Sequence, residues 1–327
     1  MDTRSFFIPV QAQHETFESF MQRCLHDPKR GYYSRNIRSI GGTRGDFTTA
    51  PQLSNLPAKA ISSWITRAMK SCRTHNLIEV GPGIGTLSQQ VLDFLPPLLR
   101  YRTKLHLVES SPTLAKIQKD TLGSKAKIHA DIHSALHQCK GNAVIFSNEL
   151  VDAFPVRVFQ YNNQQWLELN LQHTPNTHTR EILIQPDSLP NSTAFSSNFP
   201  NNQRIEVHES YKLWLESWLP SWKRGKMLTI DYGNTIDQLY HRRPNGTLRA
   251  YLLHQVLTGQ QIYQNPGLQD ITADVNFCDL RNWSAPWLTD GEFFPLADLI
   301  LPFLSSSDSQ LLLACNHFFC LDQAKYP

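Results

Sequence analysis

The chain has 327 residues, of which 40% are hydrophobic and 18% are charged, and its formal net charge is +3 at pH 7. This composition is typical of a globular protein with a hydrophobic core, and the small charge without a basic block argues against nucleic acid as a partner. No run reaches the roughly 18 apolar residues that a membrane-spanning helix requires. The apolar stretch at the N-terminus is too short and too mixed for a secretory signal. Six cysteines are scattered without a CxxC pair, which argues against a zinc site or a disulfide framework. We therefore predict a cytoplasmic protein without a bound metal.

The N-terminal part of the chain has a helical pattern. Apolar side chains recur at three- and four-residue intervals over His14–Cys24, which predicts an amphipathic helix. A Gly-rich turn at 41–45 precedes a second predicted helix over about Ser54–Lys70. We expect residues 1–75 to form a helical cap on the rest of the protein.

From residue 76 onward, short apolar strands alternate with helical segments, and this alternation implies βαβ units and a parallel sheet. The predicted strands are Leu77–Val80, Leu105–Val108, Lys127–Ala130, Ala143–Phe146 and Lys226–Asp231, with helices over about Thr86–Phe94, Pro112–Thr121 and Glu206–Trp222. A final antiparallel strand or hairpin is predicted near His317–Leu321.

Residues 156–203 interrupt this alternation. Short antiparallel strands are predicted at Val156–Tyr161, Gln165–Leu171 and Arg180–Ile184, and the Pro-, Ser- and Asn-rich stretch 185–202 reads as a loop. We therefore predict one domain over 1–327, in which a β-rich insertion at 156–203 divides a core made of 76–155 and 204–327.

The first predicted strand runs into Glu79-Val80-Gly81-Pro82-Gly83-Ile84-Gly85. Glycine lets backbone approach a ligand closely, because it has no Cβ and accepts positive φ. A dinucleotide site requires GxGxxG, whereas here the third glycine falls one position early. Glu79 would repel a pyrophosphate but could bind the ammonium group of S-adenosylmethionine. The loop therefore favours that cofactor, and the alternative is a tight turn without a ligand.

Carboxylates also end the next two strands. Glu109 follows the second strand, where it could accept hydrogen bonds from both ribose hydroxyls, although this feature alone does not separate NAD from S-adenosylmethionine. Asp131 follows the third strand and could accept from the adenine amino group. Its alternative role, which does not exclude the first, is that of a helix N-cap.

Several ordered blocks, spread from about residue 26 to residue 277, resemble the MidA family, which includes the mitochondrial complex I assembly methyltransferase and bacterial relatives. The blocks are Asp27–Tyr33 (DPKRGYY), Gly45–Pro51 (GDFTTAP), Glu79–Leu87, Asn148–Val156 (NELVDAFPV), Ile230–Gly233 (IDYG), Gly246–Tyr251 (GTLRAY) followed by His254, and Asp270–Thr272 (DIT).

The resemblance implies a class I methyltransferase fold, which is a Rossmann-like α/β structure with a mixed seven-stranded sheet and helices on both faces. It implies S-adenosylmethionine as the donor and, at least in the mitochondrial member, a protein arginine as the acceptor. The partner would then be a protein substrate, such as a respiratory-complex subunit or another arginine-bearing subunit. The oligomeric state stays open, with a dimer as one option. The resemblance further implies that a loop containing Gly45, Asp46, Thr48 and Thr49 helps to enclose the cofactor.

The chain departs from the family pattern near Leu56-Pro57, where the usual Phe-Gly is replaced, and at three further positions. Gln52 stands where the family usually has glutamate, and Asp274 and Asn276 replace the histidine and aspartate of the common His-Val-Asp-Phe block. These departures concern the substrate pocket more than the cofactor site.

The candidate catalytic residues follow the fourth predicted strand. Arginine stays protonated because its pKa exceeds about 12, so its methylation requires carboxylates that pair with the guanidinium. Glu149 and Asp152 are the predicted pair, with a turn cap and a rim position as the alternative. Asn148 could contact the cofactor or bind a substrate amine. His254 could accept a proton, although a lone histidine on a helix is more often structural.

Two other functions are compatible with these features. The first is a cofactor-binding assembly factor with weak or lost catalysis. The second is an NAD-dependent oxidoreductase, which the GxGxG spacing disfavours.

Overall fold

The computed structural model describes residues 13–36, 54–173, 179–304 and 315–326. Four predicted cofactor-covering residues, Gly45, Asp46, Thr48 and Thr49, lie outside the described residues, as does Gln52.

The strands of the main sheet are β2 (Asn76–Val80), β3 (Lys104–Val108), β4 (Ala126–His129), β5 (Val144–Asn148), β10 (Lys226–Asn234), β14 (Val275–Asn276), β15 (Glu292–Pro295) and β16 (Phe318–Ala324). The sheet is mixed and runs in the order β15-β16-β10-β5-β2-β3-β4, with β14 paired to the end of β10. Strands β4, β3, β2, β5 and β10 are parallel, whereas β16 and β15 are antiparallel. The predicted fold class is therefore confirmed, with the short strand β14 added to the seven.

Helices cover both faces of this sheet because successive apolar side chains of each strand point in opposite directions. Leu77 packs with the first group of helices, α2, α3 and α10, and its neighbour Ile78 packs with the second, α6, α7 and α9. The helices are α1 (Phe17–His26), α2 (Leu56–Cys72), α3 (Thr86–Phe94), α4 (Pro97–Arg102), α5 (Pro112–Leu122), α6 (Ile132–Gln138), α7 (Glu209–Trp218), α8 (Ile236–Leu239), α9 (Phe277–Ser284) and α10 (Leu296–Ile300).

A second, antiparallel sheet forms from the insertion and from the N-terminus. Its strands are β1 (Gln13–Thr16), β6 (Arg157–Asn162), β7 (Gln165–His173), β8 (Arg180–Ile184) and β9 (Arg204–Val207). A third sheet, β12-β11-β13, contains β11 (Arg249–Leu252), β12 (Gln255–Leu257) and β13 (Asp270–Thr272). Both sheets share an apolar core with α1.

Two sequence predictions are wrong at the edges of the second sheet. His14–Thr16 is a strand that pairs with β7, and the helix begins only at Phe17 because Thr16 caps it by accepting from the Ser19 N–H. Residues 204–207 also form a strand, paired with β6, so the inserted sheet extends past residue 203 and α7 begins at Glu209. Over 204–207 the apolar Ile205 and Val207 alternate with the polar Arg204 and Glu206, which is the period of a strand rather than a helix.

His254 lies in the two-residue turn between β11 and β12 and is not on a helix. Leu253 and His254 both have positive φ, 48° and 64°, as a tight hairpin turn requires. Of the helices in the described ranges, none is both long and apolar enough to cross a membrane.

Candidate functional site

The Gly-rich loop joins β2 to α3 at the carboxyl edge of the parallel strands. Gly81, Gly83 and Gly85 all adopt left-handed backbone, with φ of 66°, 55° and 85°. A Cβ on Gly81 would lie 2.7 Å from Leu150 Cδ1, and one on Gly85 would lie 3.2 Å from Leu122 Cδ1. Glycine is therefore needed here both for conformation and for space.

Glu79, the residue before the last of β2, is buried and accepts a hydrogen bond from the Ser88 hydroxyl on α3. Burial raises the pKa of Glu79 to about 7. The residue thus connects the strand to the helix across the loop, and its contact with a cofactor ammonium group stays a prediction.

Glu109 lies just beyond the end of β3 and is held by donors on both of its oxygens. The Ser111 N–H donates to Oε1 at 2.7 Å, and Gln118 Nε2 donates to Oε2 at 3.1 Å. Burial raises the pKa of Glu109 to about 7, and these hydrogen bonds oppose the rise. Its carboxylate has a fixed direction at the edge where the glycine loop ends.

Asp131 is the N-cap of α6. Its carboxylate accepts from the Ser134 N–H at 2.8 Å and from the Ser134 hydroxyl at 2.9 Å. The hydrogen bonds from Ser134 lower the pKa of this exposed carboxyl. The capping role is present, and the contact with adenine stays a prediction.

The turn after β5 places the predicted acceptor residues together. Asn148 ends the strand and donates from Nδ2 to Glu149 Oε1 at 3.0 Å. Glu149 has a φ of 52°, which is rare for a residue with a side chain. Asp152 follows one turn later and is 5% exposed. Because Leu150 lies against Gly81, this turn is in contact with the glycine loop.

Burial shifts both carboxyl groups towards their neutral forms. It raises the pKa of Glu149 to about 8, and the nearby Asp152 adds to this rise. It raises the pKa of Asp152 to about 7, although Arg249 opposes that rise. A positive charge placed between the two groups would lower both pKa values.

Five further residues lie near Glu149 and Asp152, and none of them is among the catalytic or cofactor-binding residues predicted from the sequence. Tyr33 donates its hydroxyl to Asp270 at 2.7 Å, and the Arg249 guanidinium pairs with Asp274 while lying over the Tyr232 ring at 5.2 Å. All except Asp274 lie within the blocks that resemble the MidA family. Their place in these blocks was the only feature of the sequence that could have indicated a functional role.

The departures Asp274 and Asn276 have structural roles of their own. Asp274 accepts from Arg249 and, at 2.5 Å, from Arg243. Asn276 caps α9 by accepting from the Cys278 N–H, and it donates to the Thr193 hydroxyl at 3.0 Å. Asp274 therefore adds a negative charge that two arginines balance.

His254 differs from the other candidate catalytic residues in its exposure to solvent. It is exposed in the β11–β12 turn, whereas Arg249, at the other end of β11, is half-buried and Asp270, which pairs with Tyr251, is buried. The proton-accepting role of His254 stays a prediction.

Comparison with known families gives a match over residues 60–288 to the model of S-adenosyl-L-methionine-dependent methyltransferases. Curated relatives include the mitochondrial protein arginine methyltransferase NDUFAF7 of Homo sapiens, which is 27% identical over 81% of this chain and 64% of the relative. The Danio rerio protein of the same name is 26% identical over 80% of this chain and 66% of the relative. The chain thus spans less than two thirds of the length of these relatives.

A solved structure from Burkholderia thailandensis, bound to S-adenosyl-homocysteine, has the same fold. It superposes with a TM-score of 0.76 at 22% identity and covers 95% of this chain and 88% of its own. A second structure from that organism gives a TM-score of 0.75 at 23% identity, with 95% and 87% covered.

Proposed function

Because this chain belongs to the MidA family of S-adenosylmethionine-dependent methyltransferases, we propose that it transfers a methyl group to a guanidinium nitrogen of a protein arginine. The arrangement of Glu149 and Asp152 beside the glycine loop carries this proposal. The curated relatives named as protein arginine methyltransferases support it.

The residues at the carboxyl edge of the sheet fit the donor. The left-handed turn at Gly81–Gly85 presents backbone without side chains at three positions of the loop, which lets a ligand approach the main chain closely. The Glu109 carboxylate can accept from ribose hydroxyls, and Glu79 lies at the start of the same loop. When bound, S-adenosylmethionine supplies an electrophilic methyl group on a sulfonium.

The acceptor residues fit a guanidinium because a bound cation would ionise their two neighbouring carboxyl groups, whose pKa values are raised in its absence. Glu149 and Asp152 can together accept several N–H groups of the planar fork, which fixes one nitrogen in direction. In the described part of the chain, no ion pair joins either carboxylate to a cation. Arg249, whose charge opposes the rise in the pKa of Asp152, is itself paired with Asp274.

Glu149 and Asp152 would have two tasks during the reaction. In the complex they hold the guanidinium and exclude water around it, which aligns the attacking nitrogen with the methyl carbon. A bound guanidinium would lower the raised pKa of Glu149 and so ionise it. As the nitrogen–carbon bond forms and the donor's carbon–sulfur bond breaks, the nitrogen must lose a proton, and the ionised Glu149 can accept it.

The proposal is tested with extract from cells that lack the gene, to which purified protein and methyl-labelled S-adenosylmethionine are added. We expect label in methylarginine after acid hydrolysis, and an at least about 100-fold loss for Glu149→Gln and Asp152→Asn. Label on another residue type would contradict the acceptor. Tight binding of S-adenosylhomocysteine without any label would favour the alternative of an assembly factor that binds the cofactor without turnover.

We further propose a protein partner with an accessible arginine, a respiratory-complex subunit being one candidate. The compartment remains the predicted cytoplasm, although the curated relatives are named mitochondrial. Cell fractionation with an antibody against the protein decides between the two compartments.

A further inference from the structure

We propose that Gln118 is a positioning residue for the donor, and that it acts by fixing the carboxylate of Glu109 against the glycine loop. The inference rests on the proposed function only in that S-adenosylmethionine binds at this edge of the sheet.

Gln118 lies on α5 and has no solvent exposure. Its Nε2 donates to the Gly83 carbonyl at 2.7 Å and to Glu109 Oε2 at 3.1 Å. One amide group therefore connects the middle of the glycine loop with the residue that ends the neighbouring strand. Both are among the parts of the chain that the sequence assigns to the cofactor.

The direction of the amide is determined by its surroundings. Both the Gly83 carbonyl and the Glu109 carboxylate are acceptors, so only the NH₂ side of Gln118 can face them. The Ser111 N–H holds the other oxygen of Glu109. With a donor on each oxygen, the Glu109 carboxylate has one preferred rotation, which is what a group that binds two adjacent hydroxyls needs.

Packing fixes the position of the glutamine itself. A Cβ on Gly85 would lie 3.6 Å from Gln118 Cγ, so α5 is in direct contact with the end of the loop. The buried Oε1 of Gln118 has no hydrogen-bond partner among the described residues, and burying such an atom costs free energy. Gln323, another buried glutamine with two acceptors, has no such unpartnered oxygen.

The test compares S-adenosylhomocysteine binding by calorimetry in the full chain. Gln118→Met retains the length and volume of the side chain but cannot donate. Gln323→Met is the matched control, since Gln323 Nε2 donates to the Ser284 hydroxyl at 2.7 Å and to the Thr289 carbonyl at 3.1 Å, away from the loop. We expect Gln118→Met to weaken binding about tenfold and Gln323→Met to change it less than about twofold.

A double-mutant cycle with Glu109→Gln shows whether the effect passes through Glu109. We expect the loss caused by Gln118→Met to shrink to less than about threefold in the Glu109→Gln background. Where affinity is too weak for calorimetry, the increase in melting temperature at millimolar ligand measures it.

Unchanged binding by Gln118→Met, or equal losses in both Glu109 backgrounds, would overturn the role of Gln118 while leaving the proposed function intact. Absence of binding by the unmodified protein would instead refute the donor. If Gln118→Met does not fold, Gln118→Glu replaces it, because two adjacent carboxyl groups should weaken binding more at pH 8 than at pH 6.

Discussion

The carboxylate of Asp231, on β10, accepts a 2.7 Å hydrogen bond from the backbone N–H of Val151, in the turn that follows β5. The same oxygen accepts from the Leu150 N–H at 3.0 Å. These two bonds fix the turn in which Glu149 adopts its positive φ. The fully buried carboxyl group of Asp231 thus fixes the turn from which the proposed catalytic residue Glu149 projects.

This relationship predicts a large effect for Asp231→Asn. With its NH₂ group towards the turn, the amide would face two N–H donors, and with its oxygen there its NH₂ group would face the Tyr232 N–H, which donates to the other oxygen of Asp231 at 2.9 Å. We expect the free energy of unfolding to fall by about 1–3 kcal/mol and methyl transfer to fall at least tenfold. Urea denaturation and label incorporation measure the two effects. Full activity in a destabilised variant would show that the turn does not depend on Asp231.

Glu149 predicts an inverse dependence of stability on pH. Its pKa is raised from 4.5 to about 8, so between these values the folded chain keeps a proton that the unfolded chain has lost. The free energy of unfolding must therefore fall as pH rises through this window. Glu149→Gln removes the contribution of this group to the dependence, and we expect the variant to be more stable than the unmodified protein at pH 8 by at least about 1 kcal/mol, with little difference at pH 4.

Glu181→Gln provides a control of opposite sign. Burial opposes the change, but hydrogen bonds from Arg204 and Tyr263 lower the pKa of Glu181. Its stabilising contribution is then present above the ordinary pKa of 4.5 and is lost as pH falls through the lowered value. Urea denaturation at several pH values distinguishes the two variants. A Glu149→Gln protein that is less stable at pH 8 would contradict the burial of that group.

Tyr33 connects the donor and acceptor halves of the site. Its hydroxyl donates to Asp270 at 2.7 Å, while its carbonyl accepts from the Ser111 hydroxyl at 2.7 Å. Tyr33→Phe removes only the first contact, so we expect methyl transfer to fall about tenfold and S-adenosylhomocysteine affinity to stay within about twofold.

The matched control is Tyr263→Phe, because Tyr263 donates to Glu181 at 2.6 Å in the core shared by α1 and the second and third sheets. It should lose comparable stability without losing activity. Equal activity losses in both variants would indicate a general effect of folding rather than a role for Tyr33 in the site.

Much of the sheet could be predicted from the sequence because local pattern and tertiary environment agree there. Leu77–Val80 is apolar on both faces, as expected of a strand covered by helices on each side. The edges were harder to predict. His14–Thr16 pairs with β7, more than 150 residues away in the sequence, and no local pattern contains that partner.

The site was predictable where one strand end supplies the residues and was missed where distant segments meet. Glu149 and Asp152 follow a strand and are close in sequence, so their proximity could be inferred. Asp231 lies in the block Ile230–Gly233, but its role was not predictable, because it depends on hydrogen bonds from N–H groups about 80 residues earlier. The pairing of Arg249 with Asp274 likewise depends on the pairing of β11 with β13, which brings Arg249 opposite Thr272. No local sequence pattern specifies that pairing.

The glycine loop gives the last prediction, which separates backbone strain from loss of the ligand site. Gly85 and Gly259 both have left-handed backbone, with φ of 85° and 56°, but only Gly85 has neighbours within 4 Å of an added Cβ. Either substitution by alanine should cost about 1–2 kcal/mol of stability from conformation alone. Gly85→Ala should also push against Leu122 and shift the loop, so we expect S-adenosylhomocysteine affinity to fall at least about tenfold. Gly259→Ala should bind with unchanged affinity, because nothing lies near its new methyl group. Calorimetry on both variants makes the comparison, and equal affinities would mean that the loop does not form the donor site.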